Sequence, residues 1–391
     1  MRTLRLAALL IGTAVLAEPP KLPQLTLDYA AMADKIAERL ALHPGEKVLL
    51  LCHPGKFSEI VPALRYAVVK AGGVDLGCLE VLPEPIPAAW DQALLAKGVA
   101  PAEQALRTLL HDVDAAVILP GVAPRHPAWA ALQYLLRRAG GPRRTVHFHW
   151  DYGGQYSAVA LPGQPLPPQH AIDATYQRAL LRTDYAALAA HQRRFAQALR
   201  RGEAHVTGPL GTDLRFRTGD RPANLQDGDA SAARAHTALV LVDREIELPS
   251  GGVRIAPLEE TVEGVVAFPT SQWGGRPVER LRLRFAKGRV VEIAAAAGKD
   301  AVQAELKDGG PGSDAFREFA LGFNPELAIP EHSPWIAYYG YGAGVVRLSL
   351  GDNSELGGKV AGGRVRWNFF PDLTVTVADE TWVKDGKLVA R

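Results

Sequence analysis

Between residues 27 and 148 the chain alternates helical with strand-like runs, and no other feature restricts its fold so strongly. Tyr29, Met32, Ile36 and Leu40 recur at helical spacing, which predicts an amphipathic helix over 27–42, ended by Pro44-Gly45. A strand is expected over 47–52, a helix near 57–71 closed by Gly72-Gly73, and a strand over 74–80. Two helical stretches over about 87–109, a strand from Ala115 to Leu119, a helix over 127–139 and a strand from Thr145 to Phe148 continue the alternation. Strands separated by helices cannot pair as hairpins, so they predict a mainly parallel sheet covered on both faces.

The character changes after Gly202. Gly163 to Pro168 reads as a Pro-rich loop, and Leu181 to Arg200 as one long helix. Beyond it, Asp213 to Arg217, Ala238 to Val242, Val262 to Phe268, Leu281 to Phe285 and Leu373 to Val377 have strand periodicity, punctuated by Gly and Pro. The expectation is an α/β chain with an N-terminal α/β domain over 18–200 and a C-terminal β-rich α+β domain over 201–391. A length of 391 residues accommodates two cores of roughly 100–200 residues each. With 44 Lys and Arg against 42 Asp and Glu, there is no broad electrostatic reason to expect nucleic-acid binding.

The first residues resemble an address. Arg2 and Arg5 precede an apolar or small stretch from Leu6 to Ala17, and Glu18-Pro19-Pro20 then opens a mature chain. This is the pattern of a secretory signal over residues 1–17, and it predicts a secreted or periplasmic protein. Those twelve apolar residues would rise only about 18 Å as a helix, short of a bilayer core of roughly 30 Å, so no membrane span is expected. Export permits a disulfide between Cys52 and Cys78, which end neighbouring strands. Two buried thiols fit the sequence equally well.

Some motifs point to chemistry only weakly. In His147-Phe148-His149-Trp150-Asp151, alternation puts the two histidines and the aspartate on one strand face, but no fourth metal ligand is identifiable. Polar residues at the mouth of the sheet are the plainer account. Gly340-Tyr341-Gly342-Ala343-Gly344 lacks the ending of a phosphate loop and reads as close backbone packing. Cys52-His53 does not make a catalytic pair, because adjacent side chains on a strand point apart. No G-x-S-x-G or H-E-x-x-H sequence occurs.

The second half carries a more specific pattern. Gly211-Thr212-Asp213, Leu248-Pro249-Ser250-Gly251-Gly252, Glu318-Phe319-Ala320-Leu321-Gly322, Leu348-Ser349-Leu350-Gly351 and the closing Lys384-Asp385-Gly386-Lys387 follow in order. Together they resemble the thermophilic-aminopeptidase family of metallopeptidases, the aminopeptidase T or leucyl-aminopeptidase type. The resemblance implies a β-rich catalytic domain of the metallo-aminopeptidase type, a homodimer, and two divalent metals such as Zn, Co or Mn. Its motifs map the metal ligands onto this chain. The glutamate ending L-P-x-G-E falls on Gly252, and a second glutamate is kept as Glu318. The histidine opening H-I-A-L-G falls on Arg347, and an H-x-D pair is best matched by Arg366 and Asn368. The family's tyrosine has no counterpart that can be placed. The related iron-dependent dihydroxypyridine dioxygenases share the fold and draw ligands from the same late motifs, so they are disfavoured too.

Histidine placement agrees. Of 11 histidines, only His332 follows His236. Arginine holds its proton at any ordinary pH and cannot ligate a metal. The chain is therefore expected to have lost the metal centre, to need no cofactor, and to bind a peptide or small anionic molecule through Arg347, Arg366, Glu318 and Asn368. Two alternatives stay open. One is an active metallo-aminopeptidase with ligands relocated among Glu259, Glu260, Glu263, Glu318, Glu331, His332, Asp352 and Asp372. The other is a structural or assembly protein on the dimeric scaffold.

Overall fold

The computed structural model describes residues 27–81, 102–122, 124, 126–137, 141–150 and 158–389. The signal-like segment, most of the helical stretch expected over 87–109, and Asp151 lie outside the described residues.

The alternating first half forms the expected parallel sheet. Its strand order is Val74–Glu80, Lys47–Cys52, Ala115–Ile118, Arg144–Phe148 and Glu245–Leu248. The helix Tyr29–Leu40 starts where Asp28 accepts a hydrogen bond from the Ala31 amide, and it buries Met32, Ile36 and Leu40. Ile60–Lys70 packs beside it, and Pro127–Leu136 covers a second apolar cluster with Leu49, Leu51, Ala116 and Ile118. Cys52 and Cys78 are disulfide-bonded across the first two strands of this sheet.

Two expectations needed correction. The stretch read as one helix from Leu181 is two, Gln169–Arg182 and Tyr185–Arg201, because the Asp184 carboxylate caps the second by accepting from the Ala187 amide. The strand expected at Ala238 to Val242 is instead a turn leading into the 3-10 helix Leu241–Arg244. Asp243 accepts from the Leu239 and Val240 amides and bends the chain there. Strand pairing also crosses residue 200. The strand Glu245–Leu248, well inside the second half, joins the first sheet parallel to Arg144–Phe148. Likewise Val159–Ala160 pairs with Trp335–Ile336. The chain passes back and forth between the two halves.

The β-rich half is two antiparallel sheets around one core. Five strands run in the order Arg366–Phe370, Val346–Leu350, Phe316–Gly322, Gly252–Ile255 and Asn224–Leu225. Eight more, from Arg289–Ala294 to Lys387–Leu388, form the second sheet. Strand alternation sends Val253, Ile255, Phe319, Leu321, Leu348, Leu350 and Phe370 into the core, where they meet Val206, Leu214, Phe216, Leu283 and Val375. The other face of the five-stranded sheet therefore turns toward the parallel sheet, and every residue of unusual chemistry lies on it.

The Cys52–Cys78 bond closes a loop with a sequence separation of 26. Its reduction should lower stability by about 2–4 kcal/mol, the usual range for such a cross-link. Denaturation with and without a thiol reductant checks this, and non-reducing peptide mapping should recover the two cysteines linked.

Candidate functional site

Register puts Gly252 and Arg254, Glu318 and Ala320, and Arg347 and Ser349 on one face of three neighbouring strands. Arg254 lies opposite Ala320, Glu318 opposite Ser349, and Ala320 opposite Arg347. Glu318 and Arg347 are both 0% exposed. A carboxylate so far from water needs compensation. Arg254 Nε donates to Glu318 Oε2 at 3.1 Å, and the Ser349 hydroxyl to Oε1 at 3.2 Å. Arg347 Nη2 lies 3.0 Å from Oε1, and Arg317 Nε lies 3.8 Å from it. Burial alone pushes the Glu318 carboxyl up, but Arg254, Arg347 and Arg317 outweigh it and hold it down at about 2.

The arginines are themselves held. Arg347 Nη1 donates to the Tyr339 carbonyl at 2.9 Å, and its guanidinium carbon lies 5.1 Å from the Trp367 ring centre. Tyr339 and Tyr341 stack beside it at 5.2 Å. The Tyr341 hydroxyl donates to Glu247 Oε2. Arg254 reaches Glu247 at 3.6 Å and Glu355 at 3.0 Å.

The network continues into the parallel sheet. Glu245 and Glu247 face His147, with His147 Nε2 3.9 Å from Glu245 Oε1. Gln133 donates to the same oxygen at 2.5 Å. Tyr339 meets His149 Nε2 at 3.1 Å. Burial, then the charges of Glu355 and Glu247, push the Glu245 carboxyl up to about 8 against the Gln133 hydrogen bond. Burial and the Arg254 charge push His147 down to about 3. Both side chains are therefore neutral near pH 7, and this row of polar groups joins the two sheets with few net charges.

The positions expected from the sequence separate into two groups. Gly252, Glu318 and Arg347 lie on one face of the sheet. Arg366 and Asn368 do not join them. They lie on the opposite face of their strand, because Trp367 and Phe369 are the residues set against Ser349 and Arg347. Arg366 donates to Glu305 at 2.6 Å, to Asn368 at 3.0 Å, and lies over the Trp273 ring at 3.5 Å. Asn368 donates to the Leu348 carbonyl. Side chains alternate between the faces of a strand, so Arg366 and Asn368 share the face of Leu348 and Leu350.

The relocated-ligand alternative finds no support in the placement of its residues. Glu259 is engaged by Arg221, Asn353 and the Lys359 amide, and Asp352 by Ser354 and the Gly362 amide. Among the described residues, Glu260, Glu331 and His332 do not converge with Glu318 into a metal-holding group. Among the described residues, no group of three or more His, Cys, Asp and Glu side chains is arranged to hold a metal ion.

Residues 183–329 match the family model for thermophilic metalloproteases, M29. That segment of the chain is similar to the family. No curated protein sequence matches it. The fold extends the likeness to nearly the whole chain. The structure of 2,5-dihydroxypyridine dioxygenase from Pseudomonas putida KT2440 is similar with a TM-score of 0.62 and 16% identity, covering 93% of this chain and 97% of that one. Wild-type AmpT from Thermus thermophilus is similar with a TM-score of 0.56 and 19% identity, covering 93% and 99%. At such identities these two matches speak for the fold alone.

Members of the family are normally metal-dependent, but the residues here do not fit a divalent metal. Three guanidinium groups surround the one retained carboxylate, and each repels a cation. A Cβ built on Gly252 would overlap the Tyr341 ring, so a ligand side chain at that position has no room. Arg254, Glu245, Glu247 and Tyr341 were not singled out by motif. Their signal was a polar residue at every second position of short apolar strands, in Glu245-Ile246-Glu247-Leu248 and in Gly252-Val253-Arg254-Ile255.

The two shifted carboxyls predict opposite limbs of a pH–stability profile. The lowered Glu318 contributes stability above its ordinary 4.5, lost as pH falls through about 2. The raised Glu245 contributes stability that is full below 4.5 and is lost as pH rises through about 8. Urea denaturation from pH 2 to 9 should therefore show Glu318→Gln flattening the acid limb and Glu245→Gln the limb between pH 5 and 8.

Proposed function

We propose that this chain is an exported member of the thermophilic-metalloprotease family in which arginine–carboxylate pairing has replaced metal binding. In this reading it recognises a carboxylate-bearing molecule, a peptide or a small anion, and does not hydrolyse it. The observation that carries the reading is Glu318, the retained family glutamate, held between Arg254 and Arg347 with no exposed surface. Metal-assisted hydrolysis requires a cation to polarise a carbonyl and to activate water. A fixed guanidinium supplies charge but no vacant coordination position. The same residues argue against an iron-dependent dioxygenase.

The anionic ligand is favoured by the gathering of three guanidinium groups, Arg254, Arg317 and Arg347, at one centre. They face Glu318, Glu247 and Glu355. Arg347 and Glu318 are enclosed, whereas Glu355 is 33% exposed. Export is favoured by the residue pattern over 1–17 and by the Cys52–Cys78 bond, a cross-link that persists in oxidising compartments. The family resemblance adds a homodimer to this reading.

Metal analysis tests it. Protein expressed and purified with zinc, cobalt or manganese supplied should carry well under one equivalent of metal after gel filtration. Aminoacyl-chromophore substrates should show no chelator-sensitive turnover. Stoichiometric metal lost in a Glu318→Gln variant would overturn the reading.

A further inference from the structure

The short 3-10 turn Ser354–Leu356 follows the strand that carries Arg347, and it presents Glu355 to the arginine cluster. Arg254 Nη2 donates to Glu355 Oε1 at 3.0 Å, and Arg317 Nη2 donates to the same oxygen. The exposures are unequal. The Arg254 and Arg317 side chains are 4% and 3% exposed, whereas Glu355 is 33% exposed. Two nearly buried cations thus share one partly exposed carboxylate.

The turn itself is firmly seated. Leu356 is fully buried in a small cluster with Val242 and Ala256. Asn353 accepts from the Val360 amide and donates to Glu259. Glu355 can therefore swing outward about its own side-chain bonds without moving its backbone. Among the described residues, Arg317 Nε has no hydrogen-bond partner and only a longer contact, 3.8 Å, to Glu318 Oε1. Nε and Nη2 together form the fork that grips a carboxylate through both oxygens. Glu355 fills only half of that fork.

We infer that Arg254 and Arg317 form a carboxylate-binding site of which Glu355 is the tethered, resident ligand. The site takes a small carboxylate, free or borne by a larger molecule, and Glu355 keeps it occupied until such a ligand competes. A tethered group acts at an effective concentration on the order of millimolar, so Glu355 sets a threshold for any competitor. This inference rests on the metal-free reading above, because a cation bound at Glu318 would repel both arginines.

Truncation at Cβ gives the test. Glu355→Ala removes one methylene and one carboxylate, which is the shape of acetate. The variant is expected to melt below the parent, and sodium acetate should raise its melting temperature saturably. At ten times the dissociation constant, the rise should be roughly 1–2 °C over sodium chloride at equal ionic strength. Acetamide, the neutral isostere, should do nothing, and Glu355→Gln, whose side chain still fills the space, should gain less from acetate. Should Glu355→Ala fail to fold in chloride, the same comparison is read as refolding yield, with acetate expected to restore it. Equal effects of acetate and chloride in either readout would overturn the inference. If they are equal while the parent chain is metal-free, this inference alone fails. If the parent carries metal at Glu318, both readings fail.

Discussion

A carboxylate removed from water must be neutralised by whatever surrounds it, and much of this protein is arranged around that requirement at Glu318. The strand Phe316–Gly322 sits at the middle of the five-stranded sheet, so its charge cannot reach solvent. Arg254 on one neighbouring strand and Arg347 on the other supply the compensation. A buried ion pair of this kind is weak evidence of net stability, since desolvation of both partners offsets most of their attraction. Its effect is steeper in the other direction. Removing Glu318 leaves buried guanidinium groups without their shared partner, and removing Arg347 leaves Glu318 under-compensated by Arg254 and Arg317.

That asymmetry accounts for the rest of the layer. Each guanidinium drawn in to meet Glu318 has further donors, and these recruit Tyr339, Glu247 and Glu355. Glu247 in turn engages Tyr341, whose ring takes the space beside Gly252. A glycine is required there because no Cβ fits. The chain of dependence runs from one charge to a residue that the fold would otherwise be free to vary. It also ties the two halves together, because Glu245 and Glu247 belong to the parallel sheet and Arg254 to the antiparallel one. The arginines thus keep positive charge where Glu318 needs it.

Much of this was legible in the sequence. The βα alternation gave the parallel sheet, since helix and strand periods differ and Gly and Pro mark their ends. Motif order drew attention to Glu318 and Arg347, which the structure sets 3.0 Å apart. Three things could not. The return of Glu245–Leu248 to the first sheet depends on a pairing partner about 100 residues earlier, which local pattern does not reveal. The true face of Arg366 and Asn368 depends on a register that one residue reverses. Arg254 lay outside every motif, and only the strand register shows that its side chain points at Glu318.

The central claim is that Glu318 depends on arginine for its charge balance. A double-mutant cycle with Arg347→Met and Glu318→Gln, read by equilibrium denaturation at pH 7, tests it most directly. Each single variant should be destabilised by about 3–5 kcal/mol, the usual cost of stranding one partner of a buried pair. The double variant should recover much of that loss, with a coupling energy of about 2 kcal/mol or more. Additive losses, with coupling below about 0.5 kcal/mol, would contradict the account.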